Sequence, residues 1–248
     1  MKVNQLVKDS FLNEVWAFIP ARSGSKSIKN KNIRKLDGKP LFAHSIYHAK
    51  KSKLIKKIIF SSDSLKYISI AKKFGCKNFH IRSKKISSNT ASEHSVFFDF
   101  IVKRLKKNET LPKYFIHLRP TAPIRNISSI NKAIKVFKRV SKRYTSLRTM
   151  TQMSNPAYRS FRIKSKKLSS ILKLDYDIDK YCIPRQFYDK TYFCNTVADI
   201  YLTTTILKGK IFGNKVYPLI TNDDYCDIDE IKDLNKAKFL IKSQRKSN

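Results

Sequence analysis

Acidic residues are scarce in this chain: only 18 of its 248 residues are Asp or Glu, against 53 Lys or Arg, for a formal net charge of +35. Glycine is scarcer still, with five. The four cysteines, Cys76, Cys182, Cys194 and Cys226, lie far apart, with no Cys-x-x-Cys pair and no histidine at zinc-ligand spacing. That excludes a zinc ribbon and a dithiol redox motif. A chain this long has no need of disulfide staples, so reduced, partly buried thiols are expected. No apolar run approaches the ~20 residues of a membrane-spanning helix. The first 16 residues include Lys2, Lys8, Asp9 and Glu14 and lack the unbroken apolar core of a signal peptide. A soluble cytoplasmic protein without membrane contact is expected.

What is present is a full-sized core. Hydrophobic residues make up 41% of the chain and aromatics 12%, which argues against disorder, and the length suits one domain or one domain with an appendage. The charge is the footprint expected of a nucleic-acid binder. However, Lys and Arg are spread from Lys2 to Lys246 and are not gathered on one arm or face. A drift in overall composition explains that spread without a specific nucleic-acid partner, because net charge speaks to non-specific association and not to chemistry. The same field draws in an anionic small molecule.

Short apolar runs alternate with amphipathic stretches through the first 150 residues. Residues 15–20, 57–61, 78–81 and 114–118 read as strands. Residues 40–51, 64–74, 91–107 and 128–140 read as helices with apolar positions at i+3 and i+4. Gly75 closes the second helix in a left-handed position. Strand–helix alternation at this spacing predicts an α/β fold, a mostly parallel sheet with helices on both faces. After Thr145 the rhythm changes. Residues 159–163 and 167–174 read as an antiparallel excursion, residues 199–207 as a strand or strand–helix, 216–220 as a last strand and 228–242 as a closing helix, with a frayed tail.

In open parallel sheets ligands bind at the carboxyl ends of strands. The most unusual segment, residues 21–32, leaves the first strand directly. Ser23, Gly24 and Ser25 permit a tight loop whose N–H groups point at one anion, and Arg22, Lys26 and Lys31 can neutralise a polyphosphate. It is not a Walker A loop, since the second glycine is missing. A solvated Lys-rich loop is the plainer alternative. Near the other end, Asp223, Asp224, Asp227 and Asp229 place four of the 18 acids within seven positions. In extended backbone Asp227 and Asp229 face the same way and can meet one Mg²⁺, which takes one or two carboxylates plus substrate phosphates. The alternative is a helix N-terminus capped by Asp229. Arg119 and Arg125 are further cations near a strand end, Arg125 equally readable as a surface residue. Asp63 is a strand-end carboxylate that either touches ligand or serves the framework. His44 and His48 share a helix face but have no third ligand; all five histidines read as structural or solvent-facing.

The run Phe18-Ile-Pro-Ala-Arg-Ser-Gly-Ser-Lys-Ser27, followed by Lys31-Asn-Ile33, resembles the N-terminal signature of the acylneuraminate cytidylyltransferases. Leu118-Arg-Pro-Thr-Ala-Pro-Ile-Arg125, Pro184-Arg-Gln186 and Asp227-Ile-Asp229 are similar to that family's later motifs, in family order over residues 15–242. The resemblance implies a nucleotide-diphospho-sugar-transferase-like fold. It also implies a reaction in which CTP and an acidic nine-carbon sugar give the CMP-sugar and pyrophosphate with Mg²⁺. Arg22, Ser25 and Lys26 would hold the triphosphate, Lys31 the α-phosphate charge and Asn32 the nucleotide, with Arg82 near the cytosine. Arg22, Lys31 and Asp227 would be the catalytic set, and Asp227 with Asp229 the metal ligands.

Arg119 and Thr121 would face the sugar, with the 90–92 segment near it, and Gln186, Asn195 and Asp199 would be further sugar-side residues. Many relatives carry Gln where this chain has Arg119, whose guanidinium can pair bidentately with a carboxylate or meet an acyl group. Their usual glycine after the Asn is Thr196 here. Residues 155–159 and 192–199 resemble segments of relatives that handle legionaminate-like sugars. The excursion at about 150–190, within a single cytidylyltransferase domain spanning 1–248, would supply a homodimer contact that brings Arg185 and Gln186 to an active site. Legionaminate, pseudaminate and 3-deoxy-octulosonate are rival sugars, and a basic non-enzymatic nucleic-acid binder is the rival class.

Overall fold

The computed structural model describes residues 11–172, 179 and 183–246. In chain order the strands are β1 (Phe11–Pro20), two-residue β2 (Lys35–Leu36) and β3 (Lys39–Pro40), β4 (Ile55–Ser62), β5 (Asn78–Ile81), β6 (Leu111–His117), β7 (Ser146–Gln152), β8 (Phe161–Lys164), β9 (Lys167–Ser170), β10 (Tyr192–Leu202) and β11 (Val216–Ile220). The helices are α1 (Leu41–Lys51), α2 (Leu65–Lys73), α3 (Glu93–Leu105), α4 (Ile127–Val140), α5 (Thr203–Leu207) and α6 (Ile231–Lys246).

Seven strands form one sheet in the order β11-β7-β10-β6-β1-β4-β5. β1 pairs in parallel with β4 and β6, β4 with β5, and β11 with β7; β10 alone runs against its two neighbours. This is the expected mostly parallel sheet, and helices cover both faces. β1 shows why. Successive side chains of a strand leave on opposite faces, so Val15, Ala17 and Ile19 join one core cluster with residues of α1, α2 and α4, while Trp16 and Phe18 join another with residues of α3 and α5. A strand apolar on both faces needs cover on both. On the second face Phe18 stacks on Phe97 at 4.1 Å and meets Phe115 edge-on at 6.2 Å.

Two helices, α2 and α3, start at side-chain caps. Ser64 accepts from the Tyr67 N–H, Ser92 accepts from the Ser95 N–H, and Gly75 takes φ +84° beyond α2. A third, smaller cluster ties α6 to the first loop: Leu234 and Ala237 pack with Ile28, Leu36, Leu41, Ile124 and Ile228.

Three features depart from the sequence expectations. β7 was not foreseen, because its buried positions include Ser146 and Thr149, which read as polar until their hydrogen bonds are known. The Ser146 hydroxyl donates to the Phe212 carbonyl at 2.7 Å, and Thr149 Oγ1 accepts from the Ala198 N–H at 3.0 Å. The β2–β3 ribbon was also unforeseen; its turn is Asp37-Gly38, both at positive φ (51° and 76°), a hairpin signal present in the sequence. α6 starts at Ile231 and continues to Lys246, past the expected end. The antiparallel excursion is the β8–β9 hairpin. Cys76, Cys194 and Cys226 are free thiols, and burial raises the Cys76 pKa. Cys182 and residues 1–10 lie outside the described residues. Among the described residues no helix is long and apolar enough to cross a membrane.

Candidate active site

The chain leaves β1 to form β4 and β5 on one side, then returns to place β6 on the other. The crevice at such a switch point, beyond the strands' carboxyl ends, is where this architecture binds ligands. A cavity of about 530 Å³ lies there, lined by the segments that follow β1, β5 and β6 and by the N-terminal turn of α3. Its charged lining is Arg22, Lys26, Lys31, Arg82 and Arg119 against Glu93 and Asp229. Five cations against two carboxylates make it a site for a polyanion.

The loop after β1 is held by its neighbours. Asp63 accepts from both the Ser23 N–H and the Ser23 hydroxyl at 2.8 Å, so this strand-end carboxylate anchors the loop. The Asn32 amide donates to the Arg22 carbonyl at 2.9 Å, and Arg22 Nη1 donates to Asn89 Oδ1 at 2.7 Å and the Ser88 carbonyl at 3.2 Å. Gly24 does not use a left-handed conformation, and a Cβ built on it meets nothing within 4 Å. The Ser25 N–H donates to the Ser23 carbonyl at 3.0 Å, so the chain does turn tightly about Gly24, as expected. Lys26 and Ser25 line the cavity, Lys26 exposed.

Arg82 is buried, its Nε donating to Ser61 Oγ at 2.8 Å and its Nη2 to the Ser61 carbonyl at 3.2 Å. Burial pulls its pKa down to about 10, partly offset by Asp63, so it stays charged at neutral pH. Behind it Ser61 also contacts His80 Nδ1 at 2.9 Å, and His80 Nε2 meets Asp99 Oδ2 at 2.7 Å.

The far end of the chain closes the cavity. Lys31, itself buried, donates from Nζ to the Ile228 carbonyl and to Asp229 Oδ1, both at 2.9 Å. The Ile228 N–H donates to the Thr121 carbonyl at 2.7 Å. Ile228 points into the third core cluster while Asp227 and Asp229 on either side of it are exposed. Asp229 does not cap α6: the Asp233 carboxylate accepts from the Asp229 and Glu230 N–H groups, at 3.0 and 2.8 Å. Asp229 lines the cavity; Asp227 does not, and its charge acts on Arg125.

After β6 come Arg119 and Thr121, both lining the cavity. Arg119 Nη1 donates to Asp199 Oδ2 at 2.7 Å, and its Nε and Nη2 donate to Glu93 Oε1 and Oε2 at 2.9 and 3.0 Å. Burial lowers its pKa, but Asp199 first and Glu93 after it outweigh burial and hold the guanidinium above its ordinary value. Asp199 is fully buried and also accepts from Arg148 Nε at 3.2 Å, so it reaches the cavity only through Arg119. Arg125, read from sequence as a strand-end cation or a surface residue, is buried. It donates to the Val197 carbonyl at 2.8 Å, the Arg119 carbonyl at 2.7 Å and Ser45 Oγ at 3.2 Å, and burial takes its pKa down to about 9. It fastens the Arg119 loop to β10 and α1.

Asn195 is buried away from the cavity. Its amide donates to Thr151 and Thr221 hydroxyls at 2.8 Å each, and its carbonyl accepts from the Val197 N–H at 3.2 Å. It braces a register shift in β10, where Thr196 sits at φ +57°. Gln186, in the short 3-10 turn Arg185–Phe187, is exposed and does not line the cavity.

Likeness to known proteins decides the family. The sequence profile described as "Cytidylyltransferase" matches residues 16–246. The chain belongs to the cytidylyltransferase family. The acylneuraminate-type resemblance of its motifs is supported by two relatives. A pseudaminic acid cytidylyltransferase of Campylobacter jejuni is 28% identical over 92% of this chain and 97% of its own. An N-acylneuraminate cytidylyltransferase of Escherichia coli O18:K1:H7 is 33% identical over 66% of this chain and 37% of its own. The solved structure of a CMP:2-keto-3-deoxy-manno-octonic acid synthetase complexed with CTP shares the fold, with a TM-score of 0.62 over 93% of this chain and 99% of that one, at 14% identity.

Sequence reasoning missed two cavity-lining residues of this cytidylyltransferase, Glu93 and His117. Glu93 follows the cap Ser92 as the first residue of α3, a position with no local sign of what it faces. His117 is fully buried, with Nδ1 3.2 Å from the Tyr201 hydroxyl and Nε2 without a partner. Burial first, and nearby Arg119 and Arg125 next, hold its pKa well below the usual value. It is a neutral imidazole at the wall of the cavity, buried as a structural histidine is.

Proposed function

We propose that this cytidylyltransferase joins CTP to the anomeric hydroxyl of a nine-carbon 2-keto acid sugar, giving the CMP-sugar and pyrophosphate. The observation that carries this reading is one cavity flanked by a loop rich in anion donors and, after β6, by an arginine whose planar fork already holds a carboxylate, that of Glu93. The whole-length likeness to a pseudaminic acid enzyme supports an acceptor of the pseudaminate type within the wider acylneuraminate class.

The sugar hydroxyl attacks the α-phosphorus and the pyrophosphate oxygen leaves. Such a transfer needs positioning and charge neutralisation more than covalent help. Arg22, Ser25 and Lys26 bind the triphosphate, Asn32 and Arg82 line the nucleotide's place, and Lys31 stabilises the charge that develops on the α-phosphate. Arg119 receives the sugar's carboxylate and Thr121 a hydroxyl. Asp229, exposed in the cavity lining, fits a magnesium ion, with Asp227, exposed two residues away, as a second carboxylate; Mg²⁺ takes one or two carboxylates and completes its shell with phosphates and water. When bound it supplies neutralisation of phosphate charge. Lys31, the present partner of Asp229, then turns to the phosphate.

Exposed apolar side chains on the excursion, Ile163 (78%), Leu168, Ile171 and Phe187 (71%), support burial against a second copy. In that dimer Gln186 serves the partner's cavity, and the enzyme works in the cytoplasm, where CTP is. The test is pyrophosphate release from CTP with pseudaminate, legionaminate, N-acetylneuraminate and 3-deoxy-octulosonate. Turnover is expected with a nonulosonic acid. No release with any of them, together with tight, salt-sensitive RNA or DNA binding, would replace this reading with the nucleic-acid one.

A further inference from the structure

Arg119 carries two carboxylates, and they are not equivalent. Asp199 is fully buried, so its contact with Nη1 is permanent framework. Glu93 is 43% exposed and occupies the Nε–Nη2 edge of the guanidinium, the planar fork that recognises carboxylates bidentately. Nη1 is already turned to Asp199, so the Nε–Nη2 edge is the paired-donor edge that has no buried partner. Glu93 is also the first residue of α3, anchored behind by the Ser92 cap. Its side chain can leave Arg119 for solvent without disturbing the helix.

We propose that Glu93 is an internal stand-in for the substrate carboxylate, occupying the Arg119 fork until an acidic sugar displaces it. This rests on the proposed acceptor being a keto acid, and it adds a residue that sets how tightly that acid binds. A partly exposed pair is a weak one, so displacement costs little, and a sugar without a carboxylate cannot compete for the fork. Selection for acids then comes from an occupant that only another carboxylate replaces. His117 Nδ1 lies 3.9 Å from Glu93 Oε2, but its neutral imidazole does not compete with Arg119 for that carboxylate.

The test compares wild type with Glu93→Gln and Glu93→Ala in KM for the sugar acid, KM for CTP, and the Kd of the sugar acid alone by calorimetry. Removing the occupant should lower both the sugar-acid KM and Kd by roughly fivefold, the worth of an exposed ion pair, while KM for CTP holds. Unchanged or weaker sugar-acid binding in both variants would overturn the proposal and make Glu93 a positioning residue for Arg119. Absence of turnover by wild type with every acid would defeat the proposed function. The calorimetric comparison still decides the role of Glu93 in that case, since failure of wild type and variants alike to bind any acid would overturn it too.

Discussion

The two sides of the cavity are built differently. On the side of the loop after β1, the cations have exposed or exchangeable partners: Lys31 holds an Asp229 side chain that is 74% exposed, Arg22 reaches across to Asn89, and Lys26 stands in solvent. On the β6 side, Arg119 is locked by fully buried Asp199, which Arg148 also grips, and its loop is bolted to β10 by buried Arg125. A chain with 53 Lys and Arg shows by this contrast that the number of cations says little. On the proposed function the loop side receives a triphosphate, so it can keep provisional partners for phosphate to replace, and the β6 side receives one carboxylate. That side must hold its fork in place beforehand, because pre-organisation is what makes a single pair selective.

Asp199→Asn should break the rigid side most severely. Removing one member of a buried charge cluster leaves Arg119 and Arg148 without their buried counter-charge, an expected loss of ~3–5 kcal/mol in denaturant-unfolding stability. A loss below about 1 kcal/mol would mean that the β6 side is no more rigid than the loop side. On the loop side, Lys31→Ala should cost only about 1–2 kcal/mol of stability, from the Ile228 carbonyl that loses its donor, and lower kcat by roughly 10²–10³, with KM for CTP changed far less, as for a group that acts on transition-state charge. An effect confined to KM would make Lys31 an ordinary binding residue. Asp227→Asn and Asp229→Asn should each raise the Mg²⁺ concentration needed for half-maximal turnover, read by metal titration. If only Asp229→Asn does so, the cavity-lining aspartate carries the ion alone.

The support behind Arg82 titrates. Burial holds the His80 pKa at about 4 in spite of Asp99, below the ~6.5 of an unfolded histidine. The unfolded chain therefore takes up a proton between these values. The stability His80 contributes is complete above about pH 6.5 and drains away as pH falls toward 4. The expected loss by pH 4.5 is on the order of 2–3 kcal/mol in urea unfolding, shallower in His80→Gln. Thr196→Gly should give the smallest effect, a gain of about 1 kcal/mol in thermal or urea unfolding, because a β-branched residue at φ +57° is strained where glycine is not. No gain would mean that the hydroxyl's 2.7 Å contact with the Asn195 carbonyl offsets the strain.

The parallel half of the sheet was legible because its strands are apolar on both faces and its helices carry one apolar stripe, as in β1 and α4. The loop after β1 was legible from its Ser-Gly-Ser run and its cations. β7 was not, since its buried polar side chains are satisfied by residues about fifty or more positions away. Arg125 and Asn195 were read as ligand-facing or exposed for the same reason: their partners lie on other elements. Glu93 and His117 were passed over because a helix cap and a strand histidine carry no local sign of what they face.

By itself, then, the sequence determined the strand–helix alternation, the cation-rich Ser-Gly-Ser loop at the end of β1 and the family, since each of these rests on residues close together in the chain. Only the tertiary structure decided that Asp229 meets Lys31, 198 positions away, and that Asp199 and Glu93 share Arg119. A charged side chain's partner is chosen by packing, here by the apolar docking of α6 on the first loop and of α3 against β1 and β6. Coulomb attraction acts only on the groups that burial has already brought within reach.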